Sequence, residues 1–389
     1  MRSNRRLLAG ALLSSAFAVS IFASAAQAKP IYKVIHQFTG ASGDGAYSYS
    51  DVNLDNTGNL YGTTHNGGAH DVGAIYKIAP DGTETLLHSF TVGNNGYNPY
   101  GGVTIDEATG DLYGTTEFGG TSDAGVIWKL ESNGTYTVLH SFDDANDGKQ
   151  PRWRMIRDGT GNFYGVALFG GGSGDGTVFE YKANGRFKLL HTFSGAEGAN
   201  PVGRLERDRS GNLFGVTFSG GTHNWGTVYE IASNGTFTTL YSFSGGSDGG
   251  FPEGGMERDK DGNLYGTTAS GGTGYGTVFK LAPDETLTTL YTFTDGSDGG
   301  APFGDLLLSH GNLYGTTTMG AGGDCQNGCG SVFKLNRAGT LRTLYRFTGG
   351  TVDGGQADAG LSEGANGILY GATPYYGIDG DGVVFSLTK

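Results

Sequence analysis

Cysteine is almost absent from this chain. Only Cys325 and Cys329 occur. They share one loop, Cys-Gln-Asn-Gly-Cys, which supplies too few ligands for a thiolate metal centre and has the wrong spacing for a Cys-x-x-Cys redox pair. A local disulfide is the plain reading. Basic residues are also scarce: 25 Lys and Arg stand against 38 Asp and Glu, a net charge of −13. No Lys/Arg cluster interleaved with aromatics offsets that balance, so nucleic acid and anionic membranes are disfavoured as partners. Beyond the extreme N-terminus no window shows a 3.6-residue apolar period. The sequence has no Gly-x-Ser-x-Gly elbow, His-Glu-x-x-His helix, P-loop or dinucleotide fingerprint. Only nine prolines occur, and no Pro/Ser linker divides the chain.

What the chain has is glycine, 74 of 389 residues, and aromatics at 12%. Both fall at fixed places in a repeat. A short run of the type Leu-Tyr-Gly-Thr-Thr recurs seven times, with its aromatic at Tyr61, Tyr113, Tyr164, Phe214, Tyr265, Tyr314 and Tyr370. A period near 50 residues, made only of strand and turn signals, predicts a seven-bladed β-propeller with four antiparallel strands per blade. Residues 252–293 illustrate one blade. An inner strand a runs from Pro252 to Asp259, strand b is Leu264 to Thr268, strand c Gly276 to Leu281 and strand d Thr288 to Phe293. The glycines serve the turns between them.

The ends of the chain are out of phase with the blades. Strand d ends at Phe38, Phe90, Phe142, Phe193, Phe243, Phe293 and Phe347, and its first copy, Ile31 to Phe38, precedes every other blade element. The last period has only strands a to c. The N-terminal strand is therefore expected to complete the last blade, which removes the two open sheet edges. Residues 29–389 read as one closed domain. Residues 1–28 read as a signal peptide: Arg2, Arg5 and Arg6 precede an apolar run that ends Ala26-Gln27-Ala28. A transmembrane anchor fits less well, because the run is rich in Ala and Ser and ends in small residues. The expectation is an exported protein, periplasmic or extracellular, without membrane insertion, whose mature chain carries a net charge of −16.

Three sub-motifs recur in fixed order: Gly-Asn-Leu-Tyr-Gly-Thr-Thr (262–268), Gly-Thr-Val-Phe-Lys-Leu (276–281) and Tyr-Ser-Phe-Ser-Gly-Gly-Ser-Asp-Gly-Gly (241–250). They closely resemble the GloVer-type tandem repeat of exported bacterial proteins, over essentially all of residues 31–389. The resemblance implies a bacterial propeller and supplies no catalytic residues, because the residues the family shares look like turn and packing residues.

Candidate site residues come from departures from the repeat. The a–b and c–d turns are short and alike, whereas the b–c and d–a loops on the other face vary, and variable loops on a rigid scaffold usually carry binding. Strand a aligns on Val52, Val103, Met155, Leu205, Met256, Leu306 and Leu361. Two residues earlier every copy is small except Trp153. One residue earlier Arg154 and Arg204 interrupt a mostly small or acidic column. A Trp beside two arginines suits a planar or anionic ligand; the plainer alternative is inter-blade packing, with the arginines paired to Asp51 or Asp305.

Histidines and acids add further candidates. His36, His88, His140 and His191 share a strand-d column with Tyr241, Tyr291 and Tyr345, which marks a structural position. His65, His70 and His223 lie in b–c loops, with Trp225 beside His223, and could serve as base or ligand. Each d–a loop places an acid or amide before Gly: Asp44, Asn95, Asp147, Glu197, Asp248, Asp298 and Asp353. The bland role is capping of local amides; the sharper one, for the aspartates, is a ring of Ca²⁺ ligands. No cofactor is required by the sequence, and a monomer is expected. The leading expectation is a non-enzymatic module that binds carbohydrate or another envelope component. The alternatives are a polysaccharide lyase or glycoside hydrolase using His223 or Tyr100 with Arg154 and Arg204, and a purely structural envelope protein.

Overall fold

A computed structural model describes residues 29–389; the signal-peptide expectation for residues 1–28 lies outside the described residues. Seven four-stranded antiparallel sheets form the seven blades. The blade of residues 252–293 has strands at Glu257–Arg258, Leu264–Thr268, Thr277–Leu281 and Leu287–Thr292. Strands b, c and d match the expectation. The inner strand is shorter than Pro252 to Asp259. Around Gly254 the backbone packs instead against the next blade, where a Cβ would meet the carbonyl oxygen of Gly304. In the fourth blade strand a does run the full length, Ala199–Arg207.

The N-terminal strand closes the ring. Tyr32–Gln37 pairs antiparallel with Val383–Leu387, from Tyr32 opposite Leu387 to Gln37 opposite Val383. Its phenol ring stacks on the preceding blade, Tyr32 on Tyr345 at 3.9 Å and 5°. Equivalent stacks join His88 to Tyr136, His140 to Phe187 and His191 to Phe237. The strand-d His/Tyr column is thus an inter-blade contact.

Inside each blade the glycine of Leu-Tyr-Gly makes room for the aromatic of strand c. A Cβ at Gly266 would come within 2.5 Å of the Phe279 ring. Tyr76, Trp128, Phe179, Tyr229, Phe279, Phe333 and Phe385 are all fully buried in this way. The strand-d phenylalanines, Phe38 to Phe347, lie against them edge to face, as Phe293 does on Phe333 at 5.3 Å.

Between blades a single hydrogen bond recurs seven times. Tyr47, Asn98, Gln150, Asn200, Phe251, Ala301 and Gln356 lead into strand a with left-handed backbones, φ between 48° and 58°. Each donates its amide to a carbonyl in the preceding blade's b–c loop: Asn98 to Val72, Gln150 to Ala124, Asn200 to Asp175, Phe251 to Trp225, Ala301 to Tyr275, Gln356 to Cys329 and, across the closure, Tyr47 to Asp381, at 2.7–2.9 Å. Proline follows in five of the seven copies. The proline ring lies so near the preceding blade that a Cβ at Gly226 would come within 2.7 Å of Pro252 Cδ. The loop cysteines form the expected disulfide, Cys325–Cys329, beside Phe347 in the last inter-blade core.

Deleting residues 29–39 should open the ring. The loss of the buried Phe38 and the partly buried Tyr32 and Ile35 side chains alone predicts a destabilisation of roughly 5 kcal/mol. Calorimetry of the truncated protein checks this; an unchanged melting temperature would show that the N-terminal strand does not close the fold.

Candidate functional site

The seven inner strands bring one residue per blade to successive levels of the axis. At the loop-face end stand Tyr49, Tyr100, Arg152, Val202, Glu253, Phe303 and Asp358, each three residues before the apolar position of its strand. Tyr49 and Tyr100 stack at 4.7 Å and 8°, and the Tyr49 hydroxyl lies 2.7 Å from that of Tyr375. The Arg152 guanidinium sits 5.5 Å from the Tyr100 ring centre. Its Nε is 2.6 Å from the buried Glu117 carboxylate, which also lies 3.8 Å from His65 Nε2. Burial works against a His65 imidazolium, but Glu117 and the Asn66 amide oxygen, 2.7 Å from Nδ1, outweigh it and the pKa is raised.

Two carboxyls in this mouth are strongly perturbed. Burial pushes Asp358 up to about 7, with the Glu253 charge adding to it. Burial also lifts Glu253 to about 7, against the pull of Arg152. Burial and Asp358 hold the Tyr100 phenol well above its usual range. Tyr49, Tyr100, Arg152, Trp153, Phe303 and Asp358 line a narrow recess of about 40 Å³ here. That is room for about one water, so a larger ligand would rest on the rim.

Midway along the axis Arg154 and Arg204 meet Asp51 and Asp305. Arg204 Nε is 3.3 Å from Asp305 and its NH2 is 3.1 Å from Glu257. Arg154 donates to the Asn53 amide oxygen at 2.6 Å and stands 3.9 Å from Asp51. Asp51 and Asp305 each also accept a backbone amide, from Gly360 and Gly255. Burial, and then the neighbouring Asp305, raises the Asp51 pKa. Below this level the axis widens into a recess of about 710 Å³ that opens on the a–b turns.

The expected site residues therefore separate. Trp153 borders the narrow loop-face recess but packs against two hydrophobic clusters between blades. Arg154 touches both recesses and Arg204 only the wide one. His70 and His223 are exposed on b–c loops and line neither recess. Trp225 packs on Phe251 at 4.5 Å at the loop-face rim. His65 and Tyr100 do come together, 6.3 Å apart between ring centres. The expectation that the turn face offers only short repeated turns needs correction, because the larger recess lies there.

The d–a acids face their own blades. Asp44 accepts the Thr39 amide and hydroxyl and the Gly45 amide, and lies 3.2 Å from His36 Nε2. Asp147 accepts the Asp143 amide and lies 2.7 Å from His140. Asp248, Asp298 and Asp353 accept Tyr241, Tyr291 and Tyr345 together with Ser244, Thr294 and Thr348. His and Tyr interchange on strand d because either can sit beside that carboxylate. No group of three or more His, Cys, Asp or Glu among the described residues is placed to share an ion.

A protein-family model of the Gloeobacter/Verrucomicrobia repeat matches residues 19–208 and again residues 205–389. The chain belongs to that family. No curated protein matches this Gloeobacter/Verrucomicrobia repeat protein. Among solved structures it is similar to streptogramin B lyase, at 14% identity and a TM-score of 0.61 over 92% of this chain and 97% of that one. It is also similar to a structure named as the extracellular domain of a hybrid two component system from B. thetaiotaomicron, at 13% identity and a TM-score of 0.57 over 93% of this chain and 42% of that one. At such identities the likeness is one of fold.

The strand-a alignment, read one and two residues before the apolar position, passes over the richest column of this repeat protein. Three residues before it, two tyrosines, a phenylalanine, an arginine and two acids replace one another from blade to blade. That variation within an otherwise regular repeat is the signal that would have found Arg152, Glu253, Phe303 and Asp358. Glu117 belongs to a b–c loop and leaves no such mark.

The perturbed carboxyls predict a pH dependence. Asp358 and Glu253 hold protons in the folded state that the unfolded chain, with ordinary values of 3.8 and 4.5, releases. Their contribution to stability is full below about pH 4 and is lost as pH rises toward about 7. Asp358→Asn should therefore stabilise the protein at pH near 8 by on the order of 2 kcal/mol, allowing for partial exposure, and by less near pH 5. Melting curves at the two pH values check this; a variant less stable than the parent near pH 8 would contradict it.

Proposed function

We propose that this protein is an exported binding module without chemistry of its own, which receives a carbohydrate or another envelope component at the loop-face mouth of its axis. One observation carries the reading. Six of the seven strand-a residues at this level are aromatic or ionisable and differ from blade to blade while the blades repeat; the seventh, Val202, packs into an inter-blade core. Aromatic faces beside charged hydrogen-bonding groups are what a sugar ring with its hydroxyls asks for. Phe303 and the stacked Tyr49 and Tyr100 offer the faces. Arg152, Glu253 and Asp358 offer the donors and acceptors. Export is supported by the charged and apolar pattern of residues 1–28 and by the Cys325–Cys329 disulfide. The N-terminal strand completes the last blade, so each blade exposes only the short outer edge of its strand d, which suits a monomer. Metal is not part of the reading, since the carboxylates weighed for Ca²⁺ are engaged by local donors.

A second reading, a polysaccharide lyase or glycoside hydrolase, draws on the same mouth. Carboxyls with pKa near 7 lie in the range of a general acid or base. His223 has no part in it, being exposed on a b–c loop. Tyr100 is a poor base, because its surroundings favour the protonated phenol. The binding reading is preferred because the recess is too narrow to enclose a scissile bond.

Thermal-shift and product screens against neutral and uronate-bearing oligosaccharides separate the two readings. For an oligosaccharide that raises the melting temperature without being cleaved, Phe303→Ala should weaken binding about tenfold, the worth of one ring contact on the scale of tenfold per 1.4 kcal/mol. Circular dichroism verifies that the variant is folded. A folded Phe303→Ala protein with full affinity would place the ligand elsewhere.

A further inference from the structure

The wide recess on the turn face is blade-specific in its own way. Two residues after the apolar position of strand a stand Leu54, Ile105, Arg157, Arg207, Arg258, Leu308 and Glu363. The scaffold therefore accepts an aliphatic residue here, yet three consecutive blades carry arginine. Arg209 and Lys260 add charge in the adjoining turns. Together these residues border the 710 Å³ basin and a second recess of about 500 Å³ that shares Glu206, Arg207, Asp208 and Arg209 with it. In a chain of net charge −13, this concentration of guanidinium groups has to be accounted for.

Packing accounts for part of it. Arg157 reaches Asp106 at 2.9 Å, and Arg204 is held by Asp305 and Glu257. The other guanidiniums are poorly matched. Arg154 bonds only the neutral Asn53 closely, with Asp51 at 3.9 Å. Arg207 lies 3.8 Å from Asp158, whose oxygens already accept Thr160, Asn162 and Tyr164. The Nε donors of both Arg154 and Arg207 are buried without a hydrogen-bond partner, a costly state for a charged group. Arg209 is exposed and forms no ion pair among the described residues. Four acids line the basin, Glu107, Asp158, Glu206 and Asp208. Asp158 and Asp208 turn their oxygens to the amides of their own turns, and Glu107 accepts from the Asn56 amide. Burial raises Glu206 to about 7, which lowers its negative charge near neutrality.

We propose that this basin is a second binding site, distinct from the loop-face mouth, which takes a small organic anion whose carboxylate or phosphate group sits among Arg154, Arg207 and Arg209. Its volume lies in the range of small-molecule pockets, roughly 300–1,000 Å³. Planar guanidinium forks suit either oxyanion. The site does not depend on the carbohydrate reading: of its residues only Arg154 also touches the loop-face recess, and Arg207 and Arg209 lie at the other end of the axis.

Isothermal titration of the purified protein with citrate, and separately with inorganic phosphate, at low salt tests it, with glucose as the neutral control. Saturable binding of either anion is expected, weakening as salt is added. Arg209→Gln removes a solvent-exposed side chain and should leave the fold intact while lowering affinity about tenfold. Adding Arg207→Gln should abolish saturation, and Phe303→Ala should change nothing. Citrate alone, or phosphate alone, would name which oxyanion the basin prefers. No saturable binding of either would overturn the proposal. So would undiminished binding by the folded Arg207→Gln, Arg209→Gln protein, or loss of binding on Phe303→Ala, which would move the anion to the loop-face mouth.

Discussion

The amide of each residue that leads into strand a, donated across to the preceding blade, is the interaction on which the rest of this structure depends. It requires a left-handed backbone at a residue that is never glycine, a conformation that costs on the order of 1 kcal/mol or more. Tyr47, Asn98, Gln150, Asn200, Phe251, Ala301 and Gln356 all accept that cost. In return each inner strand is pinned to its neighbour's b–c loop at one fixed height. The proline that usually follows fills the crevice, and the glycine before strand c must lack a side chain to admit it. Because the same bond joins Tyr47 to Asp381, the N-terminal segment is bound into the ring by the rule that joins every other pair.

That pinning explains where the chain is free to vary. Strands b, c and d are committed to interlocking aromatics and glycines. Strand a touches its neighbours mainly through backbone, so the side chains it turns to the axis carry few packing duties. Tyr49, Tyr100, Arg152, Glu253, Phe303 and Asp358 occupy such positions at one end. Arg157, Arg207 and Arg258 occupy them at the other. Between them Arg204 is held by Asp305 and Glu257 while Arg154 is left with Asn53 and a distant Asp51, and the two ends of the axis differ in chemistry although the blades that build them are alike.

Much of the fold was legible in the residues. The seven Leu-Tyr-Gly copies and the displaced first strand d lead directly to seven blades and to the pairing of Tyr32 with Leu387. In the fifth blade strand a pairs with strand b only at Glu257 and Arg258, because the backbone of Gly254 and Gly255 packs against the neighbouring blades instead, a contact that strand propensity does not record. The acids at Asp44 to Asp353 and the His/Tyr column were each seen, but their partnership was not, because they stand six to eight residues apart across a loop whose path no periodicity records. The site was only partly legible. Trp153 and Arg154 stood out as departures from a small column, yet one is largely an inter-blade wedge and the other is drawn toward Asn53. Which face an axial residue serves depends on its height along strand a. A repeat alignment gives that height only once the direction of the strand in the ring is known.

Native-state hydrogen exchange, resolved to single amides, tests the account most directly. The amides of Tyr47, Asn98, Gln150, Asn200, Phe251, Ala301 and Gln356 should exchange together, with protection close to that of the fully buried strand c, because opening any one of them frees two blades at once. Protection at Tyr47 and Gln356, which flank the closure, should match that of the other five. Rapid, independent exchange at these seven positions while strand c stays protected would contradict the claim that these bonds hold the ring.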